Sequence, residues 1–144
     1  MTRHLEFTHD YPVEPDRLFA LAADLDALDV VNKPMVQFAH LPSGPVREGQ
    51  TIDVDVSLFG ILPNQPYRMH VALCDPAARH IRSIEDGMGV QKLIHDVHVE
   101  ATEFGARLVD HLEIEAGWRT PFVSLWVWVM YRRRHRHRLR LLGV

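Results

Sequence analysis

The sequence predicts an α+β fold, an antiparallel sheet with helices at its two ends. Between residues 35 and 116 nearly every segment reads as strand or turn, whereas residues 15–33 and 120–142 carry helical spacing. The resulting order is one strand, two short helices, six strands and one long helix. Strands grouped in a run, with helices segregated to the ends, are the α+β pattern.

"RHLEFTH" (3–9) alternates, with Leu5 and Phe7 on one face, as a half-buried strand does. In "VEPDRLFALAADLDALDVV", Pro15 suits a first helical turn, and Leu18, Phe19, Leu21, Ala22, Leu25 and Leu28 recur at three- and four-residue intervals. A break near Asp24 divides this segment into two short helices, and Pro34 ends it. "MVQFAHL" is a strand followed by the turn "PSGPVREG". "QTIDVDVSLFG" alternates strictly, with Ile52, Val54, Val56 and Leu58 inward and Asp53, Asp55 and Ser57 outward. After the loop "ILPNQP", "YRMHVALC" puts Tyr67, Met69, Val71 and Leu73 on one face. "ARHIRSIE", "QKLIHDVHVEAT" and "ARLVDHLEIEA" follow, joined by the turns "DGMG" and "EFG". From Thr120 to about Leu142 the pattern is helical. At 1.5 Å per residue that helix is roughly 30 Å long, the only element able to cover the sheet.

A chain of 144 residues fits one domain with a single substantial core, 1–144. The net charge of −3 is uneven: residues 132–144 carry six Arg and no acid, which leaves −9 on residues 1–131. That asymmetry argues against nucleic-acid binding by the body of the domain. The single cysteine, Cys74, excludes an internal disulfide and fits a reducing cytoplasm. Arg3, His4, Glu6, His9 and Asp10 interrupt any signal-peptide run, and the apolar stretch from Pro121 to Tyr131 is too short to span a bilayer. The expectation is a soluble, cytoplasmic protein.

The last helix contains "WVWVMYRRRHRHRLR" (126–140). On a helical wheel Phe122, Leu125, Trp126 and Val129 share one face, continued by Arg133, His137 and Arg140. Val123, Val127 and Met130 widen the apolar side, and Trp128 lies nearly opposite. A helix apolar on most sides over three turns is expected to be gripped by protein, with the arginines at an emerging end where they complement the helix C-terminus. The alternative for these arginines is a basic rim that attracts an acidic headgroup or an anionic membrane. Only Tyr131 accompanies them, too few aromatics for a nucleic-acid patch.

The order of elements resembles the helix-grip fold of the START-like (Bet v 1-like, SRPBCC) superfamily. There a curved seven-stranded antiparallel sheet wraps a long C-terminal helix, and two short helices follow the first strand. Locally the chain resembles the polyketide cyclase/dehydrase and lipid-transport-like branch. In that branch a W-x-H-x-H-x-F strand corresponds to "LIHDVHV", where His95 keeps the first histidine and Leu93, Val97 and Val99 replace the other three. A T-x-x-x-D-x-V-x-Y strand corresponds to "ARLVDHLEI", where Asp110 keeps the acid while Leu112 and Ile114 replace Val and Tyr. "MYRRRHRHRLRLL" is close to the branch's helix ending.

If "EFG" joins the last two strands, His95 lies near Leu112, Val97 near Asp110 and Val99 near Leu108. His95 and Asp110 then sit diagonally on one face with apolar neighbours. A buried acid needs a partner. The pair is therefore either a register-fixing core contact or a polar anchor or general acid/base in a hydrophobic cavity. His98 points to the opposite face, and His80 and His111 outward. His135 and His137 point in different directions along the helix, so no metal site is expected. Nor is a cofactor, since no nucleophile or phosphate-loop motif is present.

The expected cavity wall from the strands is Val54, Val56, Leu58, Tyr67, Met69, Val71, Ile81, Ser83, Leu93, Val97 and Leu112. From the helix end it is Trp118, Phe122, Trp126 and Met130, with His95 and Asp110 as polar contacts and Arg133 or His137 at the rim. Together with the resemblance, this implies a protein that binds or carries a hydrophobic small molecule such as a lipid, acyl chain or polycyclic aromatic. The alternatives are an aromatase/cyclase or dehydratase using His95 and Asp110, and an interaction module that docks through Arg132, Arg133, Arg134 and Arg136.

Overall fold

The computed structural model describes residues 2–144. Strands β1 (Thr2–Tyr11), β2 (Val36–Ala39), β3 (Thr51–Leu58), β4 (Gln65–Asp75), β5 (His80–Gly87), β6 (Val90–Thr102) and β7 (Gly105–Glu115) form one antiparallel sheet. Its order is β1-β7-β6-β5-β4-β3-β2. Chain neighbours pair all along it except at one place: β1 joins the last strand, so the connection from β1 to β2 crosses the sheet. Helices α1 (Pro15–Ala22) and α2 (Leu25–Asn32) make that crossing, and α3 (Thr120–Leu142) packs against both α2 and β1.

Local chemistry fixes the joints. Pro15 opens α1, and the Asp24 carboxylate accepts the Asp26 N–H at 3.3 Å to cap α2, which divides the two helices where the sequence predicts. In the β6–β7 turn Gly105 has φ +156°, and a Cβ there would stand 2.2 Å from the Tyr11 carbonyl oxygen; only glycine lets the turn close under β1. Leu18, Phe19, Val99, Leu108 and Leu142 pack one part of the core. Leu25, Met35, Ile52, Val54, Val56 and Met69 pack a second, and Phe7, Leu93, Leu112, Ile114, Val127 and Tyr131 a third beneath α3.

The structure corrects three local expectations. Ser57 is buried, because its hydroxyl donates to the Leu62 carbonyl at 2.7 Å and the following loop covers it. A bulge between Val71 and Leu73 shifts the β4 register, so Cys74 packs against the core in place of Leu73. His40 takes φ +69°, and β2 ends at Ala39, short of the predicted 41.

A fourth correction concerns α3. Its buried stripe is Thr120, Ser124, Val127, Tyr131, Arg134, Arg138 and Leu142. Phe122, expected on the cavity wall, and Leu125, which shares its face on the wheel, are 70% and 63% exposed. The sheet holds a partly polar face, and the most apolar stripe lies toward the rim and the outside. No helix among the described residues is long and apolar enough to cross a membrane.

Candidate functional site

The inward faces of β6 and β7 bring His95 and Asp110 together in the predicted register, with His95 opposite Leu112 and Val97 opposite Asp110. His95 Nε2 lies 2.7 Å from Asp110 Oδ1, and both groups are buried. Burial alone pushes the Asp110 carboxyl up. The Arg138 guanidinium, the His95 hydrogen bond and Arg134 outweigh it and bring it down to about 2. A carboxylate only accepts, so in the neutral imidazole Nε2 holds the proton and donates to Asp110. Nδ1 is then left to accept from the Tyr131 hydroxyl at 3.3 Å. Burial raises the Tyr131 phenol above its ordinary value, which keeps it a donor. Both ring nitrogens of His95 are thus engaged by the protein.

The α3 stripe completes the polar interior. Arg138 Nη1 faces Asp110 Oδ2 at 3.8 Å, beyond hydrogen-bonding length. Arg134 donates from Nε to Asn32 Oδ1 at 2.9 Å and lies 3.8 Å over the Tyr131 ring. On the sheet side, Tyr67 and Ser83 donate to the two oxygens of Glu85 at 2.7 and 2.6 Å. Burial, and then the neighbouring Glu85 charge, pushes the Tyr67 phenol well up.

Two chambers flank this network. The inner one, about 110 Å³, lies under α1 and α2 and is walled by Met69, Val71, Ile81, Ser83, His95 and Val97 among others. The outer one, about 460 Å³, lies between the sheet and the start of α3. Val56, Leu58, Tyr67, Leu93, Trp118, Phe122, Trp126 and Met130 line it. Glu85, Tyr131 and Arg134 line both chambers and form the junction between them. Only the outer chamber has the size of an ordinary small-molecule site.

Most of the predicted wall therefore divides between two chambers. Five of the predicted site residues face neither: Val54 packs into the second part of the core, His137 lies beside Arg133, and the other three are Asp110, Leu112 and Arg133. Asp110 stands behind His95, Leu112 is fully buried in the core, and Arg133 is on the far side of α3. Arg133 and His137 border a surface groove there with Trp128, Val129, Arg132, Arg136 and Arg140. Arg134, grouped with the docking arginines in the sequence, is buried. Sequence reasoning missed Asn32, Glu85, Tyr131, Arg134 and Arg138 as site residues. The available signal was the 120, 124, 127, 131, 134, 138, 142 spacing on α3, obscured by its polar content.

On the outer face of the sheet, His80, Asp96 and His98 place their donor atoms within 4.8 Å of one another. His80 and His98 are directly opposed across β5 and β6, with rings stacked at 4.0 Å. Arg82 forks onto Asp96 at 3.0 and 3.1 Å, and His80 Nε2 lies 2.7 Å from it. The Asp96 charge is already matched by that guanidinium, so the cluster is an ion-paired patch. Burial, and then the Glu48 and Asp75 charges, pushes the Cys74 thiol up and disfavours the thiolate.

No protein-family model and no curated protein matches the sequence. Solved structures do match the fold. A Rhodobacter sphaeroides protein of 15% identity superimposes with a TM-score of 0.77 over 97% of this chain and 92% of its own. Ara h 8.0201 is 15% identical, with a TM-score of 0.69 over 97% and 99%. The Zhui aromatase/cyclase from Streptomyces sp. R1128 is 18% identical, with a TM-score of 0.63 over 97% and 90%. At such identities the likeness establishes architecture. By fold, the chain shares the helix-grip architecture of these structures, a curled seven-stranded antiparallel sheet around a long C-terminal helix.

Proposed function

We propose that the protein binds and carries a hydrophobic small molecule in the outer chamber. The observation that carries this reading is the chamber itself: about 460 Å³, walled by aliphatic and aromatic side chains, with a polar junction at its inner end. Apolar walls with a few convergent polar groups are the usual anatomy of a ligand pocket. Each buried methylene contributes about 0.8 kcal/mol, so a ten-carbon chain gains about 8 kcal/mol gross. That is comparable to the cost of association, which leaves the polar junction to decide affinity.

The test is the fluorescence of neutral N-phenyl-1-naphthylamine titrated with wild type and with Val123→Trp, which narrows the outer chamber. Saturable enhancement that weakens about tenfold or more in the variant supports the reading. Equal enhancement by both proteins, or none by either, opposes it.

The competing reading is a cyclase or dehydratase reaction at His95, favoured by the His95–Asp110 contact. It needs a ring nitrogen free for substrate, and Asp110 and Tyr131 hold both. The exposed groove of Arg132, Arg133, Arg136 and Arg140 beside Trp128 supports peripheral contact with an anionic membrane, at about 1 kcal/mol per arginine. Co-sedimentation with phosphatidylglycerol vesicles that is abolished when these four become Gln supports that contact; binding that survives the change opposes it.

A further inference from the structure

We infer that the bound molecule carries a carboxylate-class head that pairs with Arg134 at the junction of the two chambers. This rests on the carrier reading and adds the ligand's charge and its orientation.

Arg134 is 5% exposed and borders both chambers. Its Nε is held by Asn32 Oδ1 and its plane lies against the Tyr131 ring, which together fix the guanidinium fork. Among the described residues its two terminal nitrogens form no hydrogen bond, and no carboxylate lies within 4.0 Å of it. The two acids of this interior are each hydrogen-bonded by groups other than Arg134. Asp110 faces Arg138 and His95, and Glu85 has one oxygen on the Tyr67 hydroxyl and the other on that of Ser83. Asn32 is neutral. Arg134 is thus a buried cation with a fixed orientation and no counter-charge in contact, a costly arrangement for a protein to keep.

Two parallel N–H donors match the two oxygens of a carboxylate. A single negative charge also suits a junction that Glu85 shares, where a doubly charged phosphate would meet stronger repulsion. The inner chamber is too small for a chain. A head on Arg134 therefore directs the tail outward along Leu93 and Trp126 toward Phe122 and Trp118.

The experiment is calorimetric titration at pH 7 of decanoate and 2-naphthylacetate, each beside its methyl ester. The proteins are wild type, Arg134→Gln, Arg134→Lys and Val123→Trp. At least one acid is expected to bind wild type about tenfold or more tighter than its ester. Arg134→Gln should erase that preference by weakening the acid far more than the ester, and Arg134→Lys should keep part of it. If Arg134→Gln does not fold, the acid-to-ester ratio in wild type and Arg134→Lys decides. Equal binding of acid and ester to wild type, with both weakened in Val123→Trp, overturns the anionic head and leaves the carrier reading intact. No binding of any probe to wild type overturns both.

Discussion

His95 and Asp110 meet at 2.7 Å from adjacent strands, one diagonal step apart, with Arg138 of α3 facing the other carboxylate oxygen at 3.8 Å. The carboxylate orients the imidazole and offsets the guanidinium. It is the group on which the polar interior depends.

Removing it should be costly. Asp110→Ala leaves Arg138 buried without a counter-charge and His95 without its acceptor. The expected loss is about 3–5 kcal/mol of unfolding free energy, read by urea denaturation. A loss under about 1 kcal/mol would show that the pair does not hold the interior together.

The same carboxylate sets a pH dependence. Its folded value of about 2 lies below the ordinary 3.8, so the stability it confers is present in full above that ordinary value and is lost as pH falls through the folded one. The difference in unfolding free energy between wild type and Asp110→Asn should therefore shrink by on the order of 2 kcal/mol between pH 5 and pH 2. A difference that stays constant over that range would place the carboxyl at its ordinary value.

Two arginines five positions apart on α3 should behave oppositely. Arg138→Met removes a buried partner of Asp110 and should destabilise by about 3–5 kcal/mol. Arg133→Met lies on the exposed groove and should change stability by less than about 0.5 kcal/mol. Thermal or urea unfolding compares them directly, and similar effects would mean that the helix is rotated from the face described.

His95 separates binding from catalysis. With both nitrogens engaged internally, His95→Gln should lower stability but change ligand affinity by less than about tenfold. A pH-dependent conversion of a polyketide substrate by wild type that disappears in this variant would restore the enzymatic reading.

Much of this was legible in the sequence because short-range rules governed it. The "EFG" turn and strict alternation set the β6–β7 register, and with it the approach of His95 to Asp110. Pro121 near its start and Gly143 in the left-handed region after it bound α3 where the periodicity does. The buried face of α3 was not legible. Ranking positions by apolarity favours Phe122 and Leu125, whereas Tyr131, Arg134 and Arg138 are drawn inward by His95, Asn32 and Asp110, far away in sequence. Cross-strand groupings such as Tyr67, Ser83 and Glu85 depend on the curl of the sheet, which no local pattern encodes. The β4 bulge, which moves Cys74 inward, interrupts an alternation that otherwise looks regular.

The most direct test of the carrier reading is native mass spectrometry of the purified protein, beside an organic extract of the same sample. The account predicts a bound hydrophobic mass that leaves on denaturation, appears in the extract and is absent from Val123→Trp. A clean unliganded mass in wild type, unchanged after incubation with a panel of lipids and aromatic polyketides, would contradict it.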